Sequence, residues 1–80
     1  MSKVTTINGI EFEREQPGVL VHWGRDGRAD LLLTSYNQTH DIAAHDPDTG
    51  EVLGEKTHCY SREHAVLWAV QQGFVSDPNA

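Results

Sequence analysis

The sequence predicts an α+β domain in which an antiparallel sheet of four to five strands carries one C-terminal helix on one face. Three observations support this class. Short segments of alternating apolar and polar residues fill most of the first 60 positions, separated by turns rich in glycine, proline and aspartate. From Ser61 to Gly73 an apolar run is framed by helix start and stop signals. At 80 residues the chain has room for one core, so residues 1–80 are expected to form a single domain, with residues 76–80 frayed.

The first hairpin is predicted over residues 4–15. Asn8-Gly9 tolerates positive φ at both central positions of a type I′ turn, which joins two strands through a two-residue loop. This loop pairs Ile7 with Ile10 and Thr5 with Phe12 on one face. The opposite, solvent-facing side of the second strand then carries a row of three carboxylates: Glu11, Glu13 and Glu15.

Two further strands are predicted in the next twenty residues. After the turn at Pro17-Gly18, residues 19–23 form a β-branched and aromatic run that ends at Trp23. Asp26-Gly27 suits a hairpin tip, and residues 29–36 follow it as a strand. The consecutive leucines at 31–33 fit a central strand covered on both faces. Asn37-Gln38 is interpreted as a bend or a bulge.

The last two strand candidates, residues 39–45 and 51–60, flank a dense cluster of turn-forming residues at 46–50. They are weaker candidates because Ala43, Ala44 and Gly54 are poor strand residues.

The helix is predicted to begin after Ser61, which suits the N-cap, and to stop at Gly73, which suits the C′ position. Glu63 is favourable near the positive end of the helix dipole. One side of the helix is expected to lie on the sheet, with Val66 and Val70 beside it: Ala65, Trp68, Ala69 and Gln72. Another side is expected to face water: His64, Leu67 and Gln71.

Composition excludes several function classes. The chain has 12 Asp and Glu against 6 Lys and Arg, a formal net charge of −6, so direct binding to a nucleic-acid backbone is not expected. No apolar run approaches the roughly 20 residues of a membrane span, and the N-terminus lacks the apolar stretch of a signal peptide, so a cytoplasmic location is expected. The single cysteine, Cys59, has no partner for an internal disulfide.

The residues that carry chemistry in other proteins do not form a recognisable site here, so no catalytic residue, metal or cofactor is predicted. Five histidines suggest a zinc site, but their spacing matches no zinc motif. Residues 46–50 resemble the opening of an EF-hand loop, yet its twelfth position is Thr57 where a bidentate Glu is needed. His58 and Cys59 are adjacent in a strand and therefore point to opposite faces, which rules out a nucleophile–base pair.

Surface charge is the remaining functional signal. Residues 41–55 contain no Lys or Arg and five acids: Asp41, Asp46, Asp48, Glu51 and Glu55. The glutamate row at 11, 13 and 15 repeats about every 7 Å, close to the phosphate spacing along a nucleic-acid strand. Both clusters suit a partner protein with a basic surface, for which Trp23, Tyr36 or Tyr60 would supply an aromatic anchor. The alternative is that these acids only keep a small protein soluble.

In size, acidity and layout the chain resembles anti-CRISPR proteins, the small inhibitors that phages and mobile elements encode against host defences. The resemblance comprises the strands at 4–15 and 19–36, the helix after Ser61 and the acidic balance, and includes no residue motif. It implies a non-enzymatic DNA mimic in the host cytoplasm that binds a CRISPR effector complex and blocks DNA recognition. Two alternatives stay open: a homodimeric regulatory or antitoxin-like subunit that pairs through strand edges, and a histidine-based metal enzyme.

Overall fold

The computed structural model describes residues 3–24 and 28–77, except for the side chains of Glu55 and Lys56. Within these residues six strands form one antiparallel sheet in the order β1-β2-β3-β4-β5-β6, followed by one helix. The elements are β1 (Val4–Ile7), β2 (Ile10–Gln16), β3 (Val19–His22), β4 (Asp30–Tyr36), β5 (Thr39–His45), β6 (Val52–Cys59) and α1 (Arg62–Gln71). The α+β class and the C-terminal helix are confirmed, whereas the predicted count of four to five strands is wrong.

The predicted first hairpin is present in its predicted register. Ile7 pairs with Ile10 and Thr5 with Phe12, and the connecting Asn8 and Gly9 have φ of 51° and 83°. The pairing of β2 with β3 shifts register between Arg14 and Gln16. Because this irregularity falls at Glu15, the strict alternation that places Glu11 and Glu13 on one face does not extend to Glu15.

The pairing of β4 with β5, in the second half of the chain, differs from the sequence prediction. Asn37 and Gln38 have φ of 48° and 64°, and Tyr36 pairs with Thr39, so these two residues form a tight hairpin turn instead of a bend or bulge. The poor strand formers are accommodated individually. Ala44 is buried in the core, and Gly54 has φ of 80° where the β5–β6 register shifts.

Helix α1 begins and ends where the sequence indicates. The Ser61 side chain accepts a hydrogen bond from the main-chain N–H of His64 at 3.2 Å, and Gly73 has φ of 80° after the last turn. Ala65, Val66 and Ala69 are buried against the sheet, and Leu67 is exposed as expected. Gln72, predicted to lie on the sheet, is exposed because the helix already ends at Gln71.

The sheet curves around the helix. Six strands spaced at about 4.8 Å span roughly 24 Å, whereas a helix is about 10 Å across. Nevertheless α1 contacts both edge strands, β1 and β6, as well as β4 and β5. We call the side that faces α1 the inner face; it carries the largest fully buried side chains of the sheet: Phe12, Leu31, Leu33 and Ile42.

Two predictions, one about a loop and one about the C-terminal end, remain. The Asp26-Gly27 hairpin tip and residues 78–80 lie outside the described residues, while Val75 is buried and Ser76 is exposed. Over the described part of the chain, no helix has the length and apolar character needed to cross a membrane.

Candidate functional site

The side of the sheet opposite α1, which we call the outer face, is not covered by any other described element. Its central row runs across five strands through direct cross-strand neighbours: Val4, Glu13, Val21, Leu32 and Ala43. Side chains alternate along each strand, so Glu11, Asp30 and Asp41 also belong to this face. The described strand side chains that alternate onto the outer face include four carboxylates and no Lys or Arg.

Two aromatic side chains are exposed on or beside the outer face. Trp23 follows β3 and is 48% exposed, and its indole Nε1–H donates to Glu13 Oε2 at 3.0 Å. This hydrogen bond uses the edge of the ring and keeps the indole beside the carboxylate row. Tyr36, at the opposite end of the sheet, is 75% exposed. Trp23 and Tyr36 are two of the three anchors predicted for a partner, and both are accessible. The third, Tyr60, directly follows β6 and is also exposed.

A cleft of about 380 Å³ opens next to Trp23, where β3 ends. It is bordered by the β1–β2 turn, the residues that follow β3 and the C-terminal segment at Val75 and Ser76. Its aromatic and charged lining consists of Glu11, Glu13, His22, Trp23 and Arg28. The cleft therefore joins two of the outer-face carboxylates to one aromatic ring.

His22 is held in one orientation at the side of this cleft. Its Nδ1 lies 2.8 Å from the main-chain oxygen of Glu11, and its ring packs at a tilt against Phe12 with centroids 5.7 Å apart. Because a carbonyl oxygen can only accept, Nδ1 must carry the proton of this hydrogen bond. In the neutral ring this leaves Nε2 as an acceptor.

Gly24 allows the two ends of the β3–β4 connection to approach each other closely near the cleft. A Cβ atom at Gly24 would lie 2.3 Å from the main-chain oxygen of Arg28 and 2.7 Å from the backbone of Ala29. The main-chain N–H of Gly24 donates to the side chain of Asp30. Only glycine fits this close approach, and Trp23 and Arg28 line the same cleft.

The acids of residues 41–55 do not form one continuous cluster. Asp41 lies on the outer face and pairs with Nδ1 of His58 at 2.8 Å. Asp46 lies five residues further on, roughly 17 Å along the strand direction, and its Oδ1 accepts the main-chain N–H groups of Asp48 and Thr49. Asp48 and Glu51 are exposed in the turn, while the Glu55 side chain lies outside the described residues.

One polar pair was not anticipated from the sequence. Ser35 and His40 are direct neighbours in β4 and β5, and Ser35 Oγ lies 2.7 Å from His40 Nδ1. Reading Asn37-Gln38 as a two-residue turn would have placed these side chains opposite each other.

In the described part of the chain, the cysteine is not an activated thiol and the histidines do not converge with other ligands as a metal site. Cys59 is paired in register with His40 and is buried, and this burial, together with the charge of Asp41, raises the pKa of its thiol. A raised pKa keeps the thiol protonated and poorly nucleophilic. Among the described residues, no three His, Cys, Asp or Glu side chains converge as a metal ion requires.

Comparison with known proteins assigns the chain to no family. No protein-family model, no curated protein and no solved structure matches it at a significant level. The outer face and its cleft are therefore the features of the molecule that bear on its function.

Proposed function

We propose that the chain is a non-enzymatic, acidic protein-binding module that sets its outer face against a basic, nucleic-acid-binding surface of another protein. Its most concrete form is an inhibitor of the anti-CRISPR type, which would block DNA recognition by a CRISPR effector complex. The observation that carries the proposal is the outer face itself, where Glu11 and Glu13 lie beside the exposed ring of Trp23 and Asp41 adds a third carboxylate further along the face. Aromatic anchors surrounded by charges are typical of surfaces that bind proteins.

The spacing of the carboxylates supports a partner that binds phosphates. Glu11 and Glu13 lie about 7 Å apart along β2, and three strand spacings plus one residue pair place Asp41 roughly 16 Å from Glu13. A surface built to bind phosphates carries Lys and Arg side chains over such distances. Because the strands fix the backbone at these positions, only the side chains have to be ordered on binding, which reduces the entropic cost of binding.

The size of the outer face defines how far the contact must extend. A sheet of six strands and seven residues covers roughly 550 Å² on one side, whereas a standard interface buries about 800 Å² on each partner. The contact must therefore include neighbouring residues, and the exposed acids of the β5–β6 turn, Asp48 and Glu51, border the same end of the sheet as Trp23. Asp46 is less suited to this role because its carboxylate already holds the turn.

The test is capture of a partner followed by elution with DNA. The chain is immobilised, incubated with bacterial lysate at low salt and then washed with a 30-base-pair duplex. We expect a nucleic-acid-binding protein to be retained and released by the duplex, because both ligands compete for one basic surface. Glu11→Lys/Glu13→Lys should lose the partner, and Asp48→Lys/Glu51→Lys should weaken its binding.

The matched control is Glu63→Lys, which changes the charge of an exposed residue on the helix, away from the outer face. Its effect is compared with that of Glu11→Lys, since each single variant changes the net charge by the same amount. Equal loss in both would mean that overall charge, and not the outer face, controls binding. Retention of partners that resist elution by the duplex would contradict a shared nucleic-acid-binding surface.

A second candidate function, a homodimeric regulator, is favoured by the open edges of the sheet. Among the strands in residues 3–24 and 28–77, β1 and β6 each pair with a single neighbour, and Val52 in β6 is 58% exposed. An unpaired edge of this kind is a route to dimers by strand addition. Sedimentation equilibrium separates the two proposals, because the regulator requires a tight dimer and the inhibitor requires a monomer that associates with its larger partner.

A further inference from the structure

We infer that the cleft beside Trp23 accepts the guanidinium group of an arginine side chain from the partner protein. The inference deepens the proposed function, on which it depends for the source of the arginine. It is argued from the lining of the cleft: the half-exposed indole of Trp23, the carboxylates of Glu11 and Glu13, and a volume of about 380 Å³.

The chemistry of the lining selects an organic cation. An aromatic ring attracts a cation placed over its face, and carboxylates accept the N–H groups that an organic cation carries. The Nε1–H of Trp23 is already bonded to Glu13, so the remaining exposed surface of the ring is carbon. A metal ion fits less well, because the described residues do not bring three ligating side chains together.

The shape of the site favours arginine over lysine. Guanidinium is planar, stacks on aromatic rings and has donors on more than one edge, so it can contact Trp23 while it bonds to Glu13 and Glu11. An ammonium group is compact and more strongly hydrated. The volume lies near the lower limit of ligand sites, which suits a single side chain better than a larger molecule.

Removing the charge of Arg28 tests whether the cleft binds a cation or an anion. Its side chain also lines the cleft and is exposed, so it opposes the entry of a second cation. If the site binds a cation, removing this charge strengthens binding. If the site binds an anion, the same change weakens it.

The experiment titrates the folded chain with N-acetyl-arginine amide and follows the two indole N–H resonances by NMR. The Trp23 resonance should shift and saturate, while that of Trp68, which packs on Phe74 on the helix side, should not. Glu13→Gln keeps an oxygen that can accept from Trp23 but removes the charge, and we expect about tenfold weaker binding. The Arg28→Ala variant should bind the arginine probe more tightly than the wild-type chain does. The wild-type chain should bind N-acetyl-lysine amide more weakly than the arginine probe.

Two results would overturn the inference. One is a Trp23 shift that never saturates and matches that of Trp68. The other is weaker binding by Arg28→Ala together with tighter binding of N-acetyl-glutamate amide, which would define an anion site. Backbone spectra of each variant confirm that it is folded. The titration with the probe does not involve the partner protein, so the two experiments can fail independently. If the probe does not bind but a partner is captured and eluted by DNA, only the arginine site is refuted. If the probe binds but no partner is captured, only the proposed function is refuted.

Discussion

Gln38→Gly should stabilise the fold, because Gln38 occupies a backbone conformation that favours glycine. The two residues between β4 and β5 have φ of 48° and 64°, close to the angles of Asn8 and Gly9 in the first hairpin. A left-handed conformation costs a non-glycine residue about 1–2 kcal/mol. Glycine removes this cost but loses about 0.4–1 kcal/mol through the greater freedom of the unfolded chain. The expected net gain is about 0.5–1 kcal/mol.

The measurement is thermal unfolding followed by circular dichroism. For a domain of this size a gain of 1 kcal/mol raises Tm by about 4–8 °C, so Gln38→Gly should raise it by roughly 2–8 °C. The Gln38 side chain is exposed, and Gln38→Ala serves as the control because it shortens the side chain and keeps Cβ. Gly9→Ala, at φ of 83°, should show the reverse effect. An unchanged or lower Tm in Gln38→Gly would refute the left-handed turn, and with it the tight β4–β5 hairpin.

Two further predictions concern the cleft and the buried thiol. Gly24→Ala should destabilise the fold by about 1–3 kcal/mol in urea unfolding and shift the Trp23 indole resonance, because the new Cβ would meet the backbone of Arg28 and Ala29. An unchanged unfolding midpoint would contradict this close backbone approach. For Cys59, burial raises the pKa of the thiol above its ordinary value of 9.0, so the folded chain holds the proton to higher pH than the unfolded chain. Stability should therefore fall as pH rises above about 9 and fall less steeply in Cys59→Ala; parallel pH profiles would contradict this.

The first half of the fold was predictable because its signals are local. Asn8-Gly9 specifies both the turn type and the register, so the facing of Ile7, Ile10 and Phe12 follows directly. Asn37-Gln38 forms the same kind of turn, but it lacks the glycine by which such a turn is recognised in a sequence. Ala44 and Gly54 look unfavourable in isolation, and each is tolerated for its own reason. Ala44 is buried in the core, where packing outweighs its propensity, and Gly54 takes up a positive φ where the β5–β6 register shifts.

The candidate site was predictable only in part, because a cleft is a property of tertiary structure. The alternation of β2 identified Glu11 and Glu13 as a solvent-facing pair, and composition drew attention to Trp23. Nothing local indicated that Arg28 and Ser76 would border the same cleft, since their positions depend on the close backbone approach at Gly24 and on the path after the helix. The run of acids from Asp41 suggested one surface, yet the length of β5 separates Asp41 from Asp46.

The division of the sheet into two faces would allow a domain of 80 residues to bind the proposed partner without a deep pocket. Its large buried side chains are committed to the inner face, where the small residues Ala65 and Ala69 let the sheet approach the helix closely. The fold therefore does not depend on burying the outer face, and the spacing of the outer-face side chains is set by the geometry of the strands. The backbone of Glu11 and Glu13 is fixed in a strand, so less order has to be imposed on these residues when a partner binds. Glu11 and Glu13 should therefore contribute more to affinity than the exposed turn acids Asp48 and Glu51. If the two charge-reversal pairs weakened partner binding equally, net charge would explain the effect without any contribution from the strand scaffold.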